Sequence, residues 1–450
     1  MENRLEKKYG LFTAISMVIG IVIGSGVFFK APSILNATGR LSTGILAWIT
    51  GGAIMIACAV TFSIMATKYE KVNGVVDYAE AALGRKYGYL VGWFMATIYY
   101  PSLTGVLAYV SGVYFCMLTG WIGNPAAVWA VSIIFLILSF ILNSVAPKLA
   151  GKWQVSSCVI KLIPLIAMAI GGMIYGVASG NLSINFSTAI ASTSTGNPLF
   201  YGVVATAFAY EGWIIATSIN SELKDAKKNL PIALISGGII IILIYLIYFI
   251  GISGGVELSA LSDKAGVNTA YTNVFGSIAG TILTVFITIS CLGTLNGLTM
   301  GCTRGFYSMA AREEGPAPKA FGRVSQKYGM PVLSCIIGFV FALLFLVYFT
   351  NIDYNGLYGG ANGFFFDVSE LPIVTIYALY IPIFINMIAK EKNLSFSKRF
   401  VWPILAIIGC VFMVVAAIDK FKSSGLLQYL ICFAIIMTIG ILIPRNKENK

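Results

Sequence analysis

Two short stretches interrupt otherwise apolar runs with residues that could bind a small charged molecule. Gly24, Ser25 and Gly26 lie inside VIGIVIGSGVFF, and Glu211 and Gly212 lie inside FAYEGW. Consecutive small residues let the main chain leave helical geometry, although glycine costs roughly 1 kcal/mol relative to alanine in a helix. Amides freed at the start of a half-helix suit an anion, and carbonyls freed at the end of one suit a cation. A ligand that satisfies both is an amino acid.

The first stretch alone also fits a helix-packing motif, because Gly20 and Gly24 have the GxxxG spacing that is common between membrane helices. The second stretch favours a binding site, because an ionisable residue such as Glu211 is costly inside a membrane and marks a functional position by default. Freed main-chain groups are tolerated at that depth only where they line a cavity or a ligand. Two interrupted spans, one early in each half of the chain, are typical of inverted-repeat secondary transporters.

The composition around these stretches is that of a membrane protein. Of the 450 residues, 58% are hydrophobic and 11% are charged, against roughly 25% charged in soluble domains. A bilayer-spanning helix needs about 20 apolar residues, and turn residues divide the two longest uncharged runs. The sequence therefore predicts an all-α integral membrane protein with twelve transmembrane helices. Their predicted bounds are 10–37, 44–68, 87–117, 126–145, 152–178, 198–220, 230–253, 272–309, 331–349, 363–389, 401–418 and 424–443.

Lys and Arg are distributed unequally between the two ends of these spans. With twelve spans both termini share a side, and 23 of the 30 Lys and Arg residues fall on that side, against four on the other. Cytoplasmic loops carry such an excess, so we predict a multi-pass protein of the cell membrane with both termini cytoplasmic. Topology and attraction to anionic membrane lipid explain the net charge of +12, and no nucleic acid partner is expected.

The residue inventory argues against an enzyme. The chain has no histidine, which excludes HExxH metal sites and His-dependent catalytic triads. The eight cysteines lie in or beside apolar spans without a CxxC pair, so neither a metal nor a cofactor is expected. A channel is a second alternative, but channels typically show repeated filter loops or rings of charge, whereas this chain shows two unlike breaks.

Five motifs, each in a fitting place along the chain, resemble those of one family. GSGVFF follows the first apolar stretch, KLIP (161–164) lies in the fifth span, FAYEGW lies in the sixth, SELKDAKKNLPIAL (221–234) follows it, and LGTLNG (292–297) lies in the eighth. Together they resemble the amino acid–polyamine–organocation superfamily, specifically its L-type amino acid transporter branch. The resemblance implies a single transporter domain over 1–450 that works by alternating access. Its parts would be a first inverted repeat at 10–178, a second at 198–389 with helices 1 and 6 broken, and two further helices at 401–443.

The resemblance also implies roles for individual residues at the two breaks. Main-chain amides would hold the substrate carboxylate at Gly24, Ser25 and Gly26. Main-chain carbonyls would receive the substrate amino group at Val22, Phe208, Ala209 and Glu211. Side chains that could line the remaining pocket are Tyr99, Tyr100, Trp213 and Thr294. The bulk of Tyr100 favours a small or medium neutral amino acid.

Lys161 is a charge within the fifth predicted span. It could extend its stem back toward water, because Lys152 lies about nine residues away on the cytoplasmic side. The resemblance implies a further role, since sodium-independent relatives carry a lysine here whose ammonium occupies the place of a sodium ion. Transport would then not need sodium. Two mechanisms stay open, exchange of one amino acid for another, which we favour, and proton symport in which Lys161 titrates.

Three acidic residues have alternative interpretations. Glu211 could be a structural acid bonded to loose main chain, or it could relay charge between the substrate and a gate. Asp367 and Glu370, in FFFDVSELP, could line a water-filled vestibule or select cationic substrates. Human members of the branch form a disulfide to a glycoprotein through a cysteine between helices 3 and 4. The corresponding loop here has none, so we expect no such partner.

Overall fold

The computed structural model describes residues 10–68, 74–216, 223–262, 266–356, 366–423 and 425–443. Within these ranges every regular element is a helix, and two π-helical turns, Met95–Tyr99 and Ser397–Val401, directly precede two of the α-helices. The α-helices are α1 (Leu11–Val22), α2 (Gly26–Thr38), α3 (Leu41–Lys68), α4 (Val75–Leu83), α5 (Arg85–Phe94), α6 (Tyr100–Thr119), α7 (Pro125–Val145), α8 (Pro147–Ile160), α9 (Leu162–Ala178), α10 (Asn181–Ser187), α11 (Pro198–Ala209), α12 (Trp213–Ala216), α13 (Ala226–Gly255), α14 (Leu258–Leu261), α15 (Gly266–Ala310), α16 (Pro318–Phe321), α17 (Val332–Gly356), α18 (Leu371–Lys390), α19 (Trp402–Phe421) and α20 (Leu426–Leu442).

Most of the predicted spans coincide with long apolar helices. Among the described residues, eight helices are long and apolar enough to cross a membrane, or nine if α9 and α10, which are bent by 88°, form one span. This confirms a multi-pass helical protein, while the number twelve stays a prediction. Three of the other predicted spans coincide with shorter apolar helices, at Leu11–Gly20, Pro198–Ala209 and Leu426–Leu442. Both chain termini, which we predict to be cytoplasmic, lie outside the described residues. The same is true of residues 217–220 of the sixth predicted span and 363–365 of the tenth.

The Ser- and Asn-rich stretch 180–197, between the fifth and sixth predicted spans, contains the short helix α10. Gly180 has a φ of 78°, a backbone angle that glycine adopts without strain, and it allows the sharp turn out of α9. The Asn185 side-chain amide then donates to the carbonyls of Ser253 (2.5 Å) and Val256 (2.8 Å). These tertiary hydrogen bonds hold α10 against the end of α13, which no local pattern in the sequence could predict.

Two further irregularities modify predicted spans. The fifth span changes from α8 to α9 at Lys161, because Pro164 lacks the N–H that would bond to the carbonyl of Ile160. Helix α15 begins at Gly266, before the predicted start of the eighth span at 272, and it consists of two helical segments joined by a kink at Gly276, which has a φ of 82° and a ψ of 168°. The fifth predicted span is therefore interrupted at Lys161, and the eighth is kinked at Gly276.

The chain divides into two compact units. The first unit comprises Met1–Gly88, Lys161–Phe286 and Ile373–Lys420, and the second comprises Tyr89–Ile160, Ile287–Pro372 and Phe421–Lys450. Within the first unit, α13 packs against α1, α3 and α9, and α11 packs against α2 and α3. Within the second, α6 packs against α7 and α17, and buried aromatic rings such as Trp93, Phe306 and Phe321 form a core.

The contact of α9 with α13 in the first unit is made by glycines. A Cβ atom at Gly172 would lie 2.2 Å from the Gly251 carbonyl oxygen, and one at Gly254 would lie 2.3 Å from the Gly172 carbonyl oxygen. No side chain fits there, so the two main chains touch. Small residues make such close approach possible between membrane helices, where burial of apolar surface gives little driving force.

Candidate functional site

The first break, residues 23–25, separates α1 from α2. Ile23 is extended, with a φ of −66° and a ψ of 106°, and the first main-chain hydrogen bonds of α2 run from the amides of Phe28 and Phe29 to the Ser25 carbonyl. The amides that precede a first turn have no partner within their own helix. Ser25 is fully buried, so the interruption predicted at Gly24–Gly26 lies in the interior of the first unit.

The second break, residues 210–212, separates α11 from α12. The amide of Tyr210 bonds to the Thr206 carbonyl at 3.0 Å, and the amide of Glu211 bonds to the Phe208 carbonyl at 3.4 Å. Gly212 then has a φ of 109°, which L side chains rarely adopt. The break therefore requires the glycine of FAYEGW, as its sequence predicted.

The two breaks are in direct contact within the first unit. A Cβ atom at Gly26 would lie 2.7 Å from the Cα of Ala209 and 3.1 Å from the carbonyl oxygen of Phe208. The start of α2 thus meets the end of α11, main chain against main chain. One predicted donor, Gly26, thus lies beside two predicted acceptors, Phe208 and Ala209.

Tyr245, on α13, joins the two breaks and was not singled out by the sequence analysis. Its hydroxyl lies 3.3 Å from the Val22 carbonyl oxygen and 3.0 Å from the Ala209 carbonyl oxygen. The side chain is fully buried, and its ring packs 5.2 Å from Trp48 and 5.3 Å from Tyr210. The single hydroxyl proton of Tyr245 is therefore shared between the last carbonyls of α1 and α11.

The bond from Tyr245 changes how the predicted acceptors can work. Phe208 already receives the Glu211 amide, and Val22 and Ala209 share the one hydroxyl proton of Tyr245. A carbonyl oxygen carries two lone pairs, so each of them retains the capacity to accept from a substrate amino group. The only sequence signal for Tyr245 was a hydroxyl in an apolar helix, which needs a hydrogen-bond partner when buried.

Lys161 reaches the end of α1. Its Nζ donates to the carbonyl oxygen of Gly20 at 2.5 Å, and the residue is only 4% exposed. The stem therefore does not extend back to water. The ammonium lies in the last turn of α1, where the helix dipole favours a positive charge.

The side chain of Glu211 lies in a different environment from the main-chain amides and carbonyls of the two breaks. Both of its carboxylate oxygens are buried, and the group interacts electrostatically with Cys58, Tyr377 and Tyr380. The carboxylate is therefore placed among aromatic rings and a thiol. Both interpretations of Glu211, the structural acid and the charge relay, stay open.

The four predicted pocket side chains are divided between the units. Trp213 belongs to the first unit and packs against Phe62 and Tyr380 at 5.8 Å from each ring. Tyr99, Tyr100 and Thr294 belong to the second unit. The Tyr99 and Tyr100 rings lie 5.5 Å apart, beside the π-helical turn. Their role as a substrate pocket stays a prediction.

Asp367 has a local role that neither earlier interpretation included. Its Oδ1 accepts from the amide and hydroxyl of Ser369, both at 2.7 Å, and from the amide of Glu370 at 2.8 Å. This is the pattern of a helix cap, here before α18. The sequence DVSE carried the signal, because an acid followed three residues later by Glu resembles a capping box.

The sequence is similar to those of amino acid permeases and transporters. A sequence model of the family described as "Amino acid permease" matches residues 9–442. The serine/threonine exchanger SteT of Bacillus subtilis is 30% identical over 422 residues, covering 92% of this chain and 91% of that protein. The human b(0,+)-type amino acid transporter 1 is 25% identical over 442 residues, covering 96% of this chain and 86% of its own length.

A solved structure has the same fold. The crystal structure of MhsT in complex with L-phenylalanine superposes with a TM-score of 0.61 at 15% identity, covering 92% of this chain and all of that one. At this identity the likeness concerns the fold alone.

Proposed function

Because the chain belongs to the amino acid permease family, and is therefore a membrane transporter and not an enzyme, we propose that it exchanges neutral amino acids across the cell membrane without sodium. The fold would comprise twelve transmembrane helices, with two inverted repeats of five at 10–178 and 198–389 that alternate access to a central site. Each proposed repeat opens with a broken helix, which supports this arrangement.

The substrate would bind where the two breaks meet. The amides of Gly24, Ser25 and Gly26 lie at the start of α2, where the N–H groups directed out of the first turn and the helix dipole favour a carboxylate. The carbonyls of Val22 and Ala209 end α1 and α11 and favour an amino group. Because Gly26 touches Phe208 and Ala209, one α-amino acid could reach both sets at once.

The hydrogen bond from Lys161 to Gly20 carries the proposal of sodium independence. An ammonium fixed on a carbonyl near the end of α1 supplies the positive charge that a bound metal cation would otherwise supply there. The charge belongs to the protein and does not enter or leave with the substrate. If Lys161 keeps its charge throughout the cycle, such a transporter would be driven by the amino acid gradients themselves, as in exchange.

One relative supports exchange and a neutral substrate. The name of SteT describes an exchanger of serine and threonine, and these are small neutral amino acids, as the bulk of Tyr100 favours. The absence of a glycoprotein partner is likewise a proposal. It rests on the turn between α6 and α7, whose sequence has no cysteine, and on Cys116, which is fully buried in α6.

Proteoliposomes distinguish the mechanisms. We expect uptake of labelled serine to require internal amino acid and to be indifferent to imposed sodium and proton gradients. Accumulation in empty vesicles driven by a proton gradient would instead establish the alternative mechanism, proton symport. Non-saturating electrical conductance would establish a channel. Competition by each of the twenty amino acids against labelled serine then identifies the substrate class.

A further inference from the structure

A groove remote in sequence from the helix breaks lies in the second unit. It is formed by the chain around α16 and by the first turns of α17, and its volume is about 440 Å³. Its lining includes Ala320, Arg323, Val324, Leu333 and Ile336. One cationic side chain is thus combined with a mainly apolar wall.

The apolar wall lies at the end of a membrane span. From Val332 to Thr350, α17 is long and apolar enough to cross a bilayer, and only 28% of its most apolar stretch is buried. Val324, Val332 and Ile336 are 46%, 44% and 53% exposed. Because such side chains are unfavourable in water, we place this wall against the hydrocarbon, at the boundary with the polar headgroups.

The charge at the mouth of the groove is positive. Residues 315–350 include Lys319, Arg323 and Lys327 and no Asp or Glu. Arg323 is exposed, and no hydrogen bond or ion pair of its guanidinium is found within the described part of the chain. Lys327 is directed to its neighbour, with Nζ 5.2 Å from the centre of the Tyr328 ring. Arg323 is therefore the cation placed to meet a ligand in the groove.

We propose that this groove binds an anionic phospholipid. The phosphate would be held by Arg323, since a guanidinium matches two phosphate oxygens at once, and one acyl chain would lie along Val324, Leu333 and Ile336. A soluble anion would leave the apolar wall without a partner. A zwitterionic lipid would add the cation of its own headgroup to a segment that already carries three cationic side chains. The proposal does not depend on the transport mechanism.

Native mass spectrometry of the protein in detergent tests the proposal with added dioleoyl phosphatidylglycerol. We expect saturable binding to the wild type and about fivefold weaker binding to Arg323→Gln. Lys148→Gln is the matched control, because Lys148 is also an exposed cation of the second unit but lies outside the groove. Ala320→Trp, which fills the groove and removes no charge, should also lose the lipid.

Three results would overturn the proposal. These are equal affinity of wild type and Arg323→Gln for phosphatidylglycerol, equal binding of dioleoyl phosphatidylcholine, and displacement of the lipid by inorganic phosphate at millimolar concentration. The last result would identify a simple anion site. Elution of every variant as a single monodisperse peak shows that a loss of lipid does not come from misfolding.

Discussion

At the scale of single residues, Gly26 is the point where the two helix breaks touch. A Cβ atom there would lie 2.7 Å from the Cα of Ala209, and main chain cannot move aside as a flexible side chain can. We expect Gly26→Ala to separate the breaks and to lower the initial rate of amino acid uptake by roughly tenfold or more. Gly151→Ala in α8 is the matched control, since nothing lies within 4 Å of its added Cβ, and an equal loss in both variants would contradict the assignment.

Tyr245 tests whether the last carbonyls of α1 and α11 are held together. Tyr245→Phe removes the hydroxyl that serves Val22 and Ala209 and keeps the ring in its aromatic cluster. We expect a stability loss of about 1 kcal/mol, seen as a lower midpoint of thermal denaturation in detergent, together with altered uptake. Tyr175→Phe on α9 provides the comparison. Wild-type uptake and stability in Tyr245→Phe would mean that the Tyr245 hydroxyl does not hold the ends of α1 and α11 together.

Glu211 can be assigned by a conservative change. Glu211→Gln keeps the size of the side chain and removes its charge. If the residue relays charge, as we expect, turnover slows more than substrate binding weakens, and the deficit varies with pH. Uptake rates and competition constants measured from pH 5 to pH 8 separate these effects. Superimposable profiles for the two proteins would leave only the structural acid.

Sequence reasoning located the residues of the site unevenly. Gly24–Gly26 and Glu211 are visible because small residues and an acid are costly inside an apolar helix. Tyr245 looks like any buried aromatic residue, and its partner Val22 lies 223 positions away in the chain. The cap made by Asp367 was readable from DVSE, because an acid followed three residues later by Glu resembles a capping box.

At the scale of helices, the close contact of α9 with α13 determines the positions of Tyr245, on α13, and of Lys161, which directly precedes α9. A Cβ atom at Gly172 would meet the Gly251 carbonyl oxygen, carbon and Cα within 3.1 Å. We expect Gly172→Ala to cost about 1–3 kcal/mol and to lower the thermal midpoint and the yield of folded protein. A variant with the wild-type midpoint would show that the helices do not pack this closely.

The helices show which features a local pattern can predict. The two breaks and most span positions follow from apolar length and small residues, which are local properties. Helix α10 forms in a Ser- and Asn-rich stretch because Asn185 bonds to carbonyls at the end of α13, and the kink at Gly276 occurs where the local sequence alone fits a continuous helix. These features depend on tertiary contacts that the sequence pattern does not contain.

At the scale of the whole molecule, the apolar composition and the one-sided distribution of Lys and Arg indicated a multi-pass membrane protein with a preferred orientation. The family match over residues 9–442 agrees with the class of transporter that the breaks predicted. The direction of the chain in the membrane rests on charge alone, since the residues at both ends lie outside those described. Which amino acid is carried could not be predicted, because main-chain groups recognise what all α-amino acids share.

The central claim is that the Lys161 ammonium at Gly20 replaces a bound metal cation, so that the protein exchanges amino acids without sodium. The most direct measurement is the initial rate of labelled serine uptake into serine-loaded proteoliposomes, with sodium or with N-methyl-D-glucamine as the sole cation on both sides. We predict equal rates in the two media for the wild type, and a strongly reduced rate in both for Lys161→Gln. Wild-type uptake that requires sodium would contradict the account.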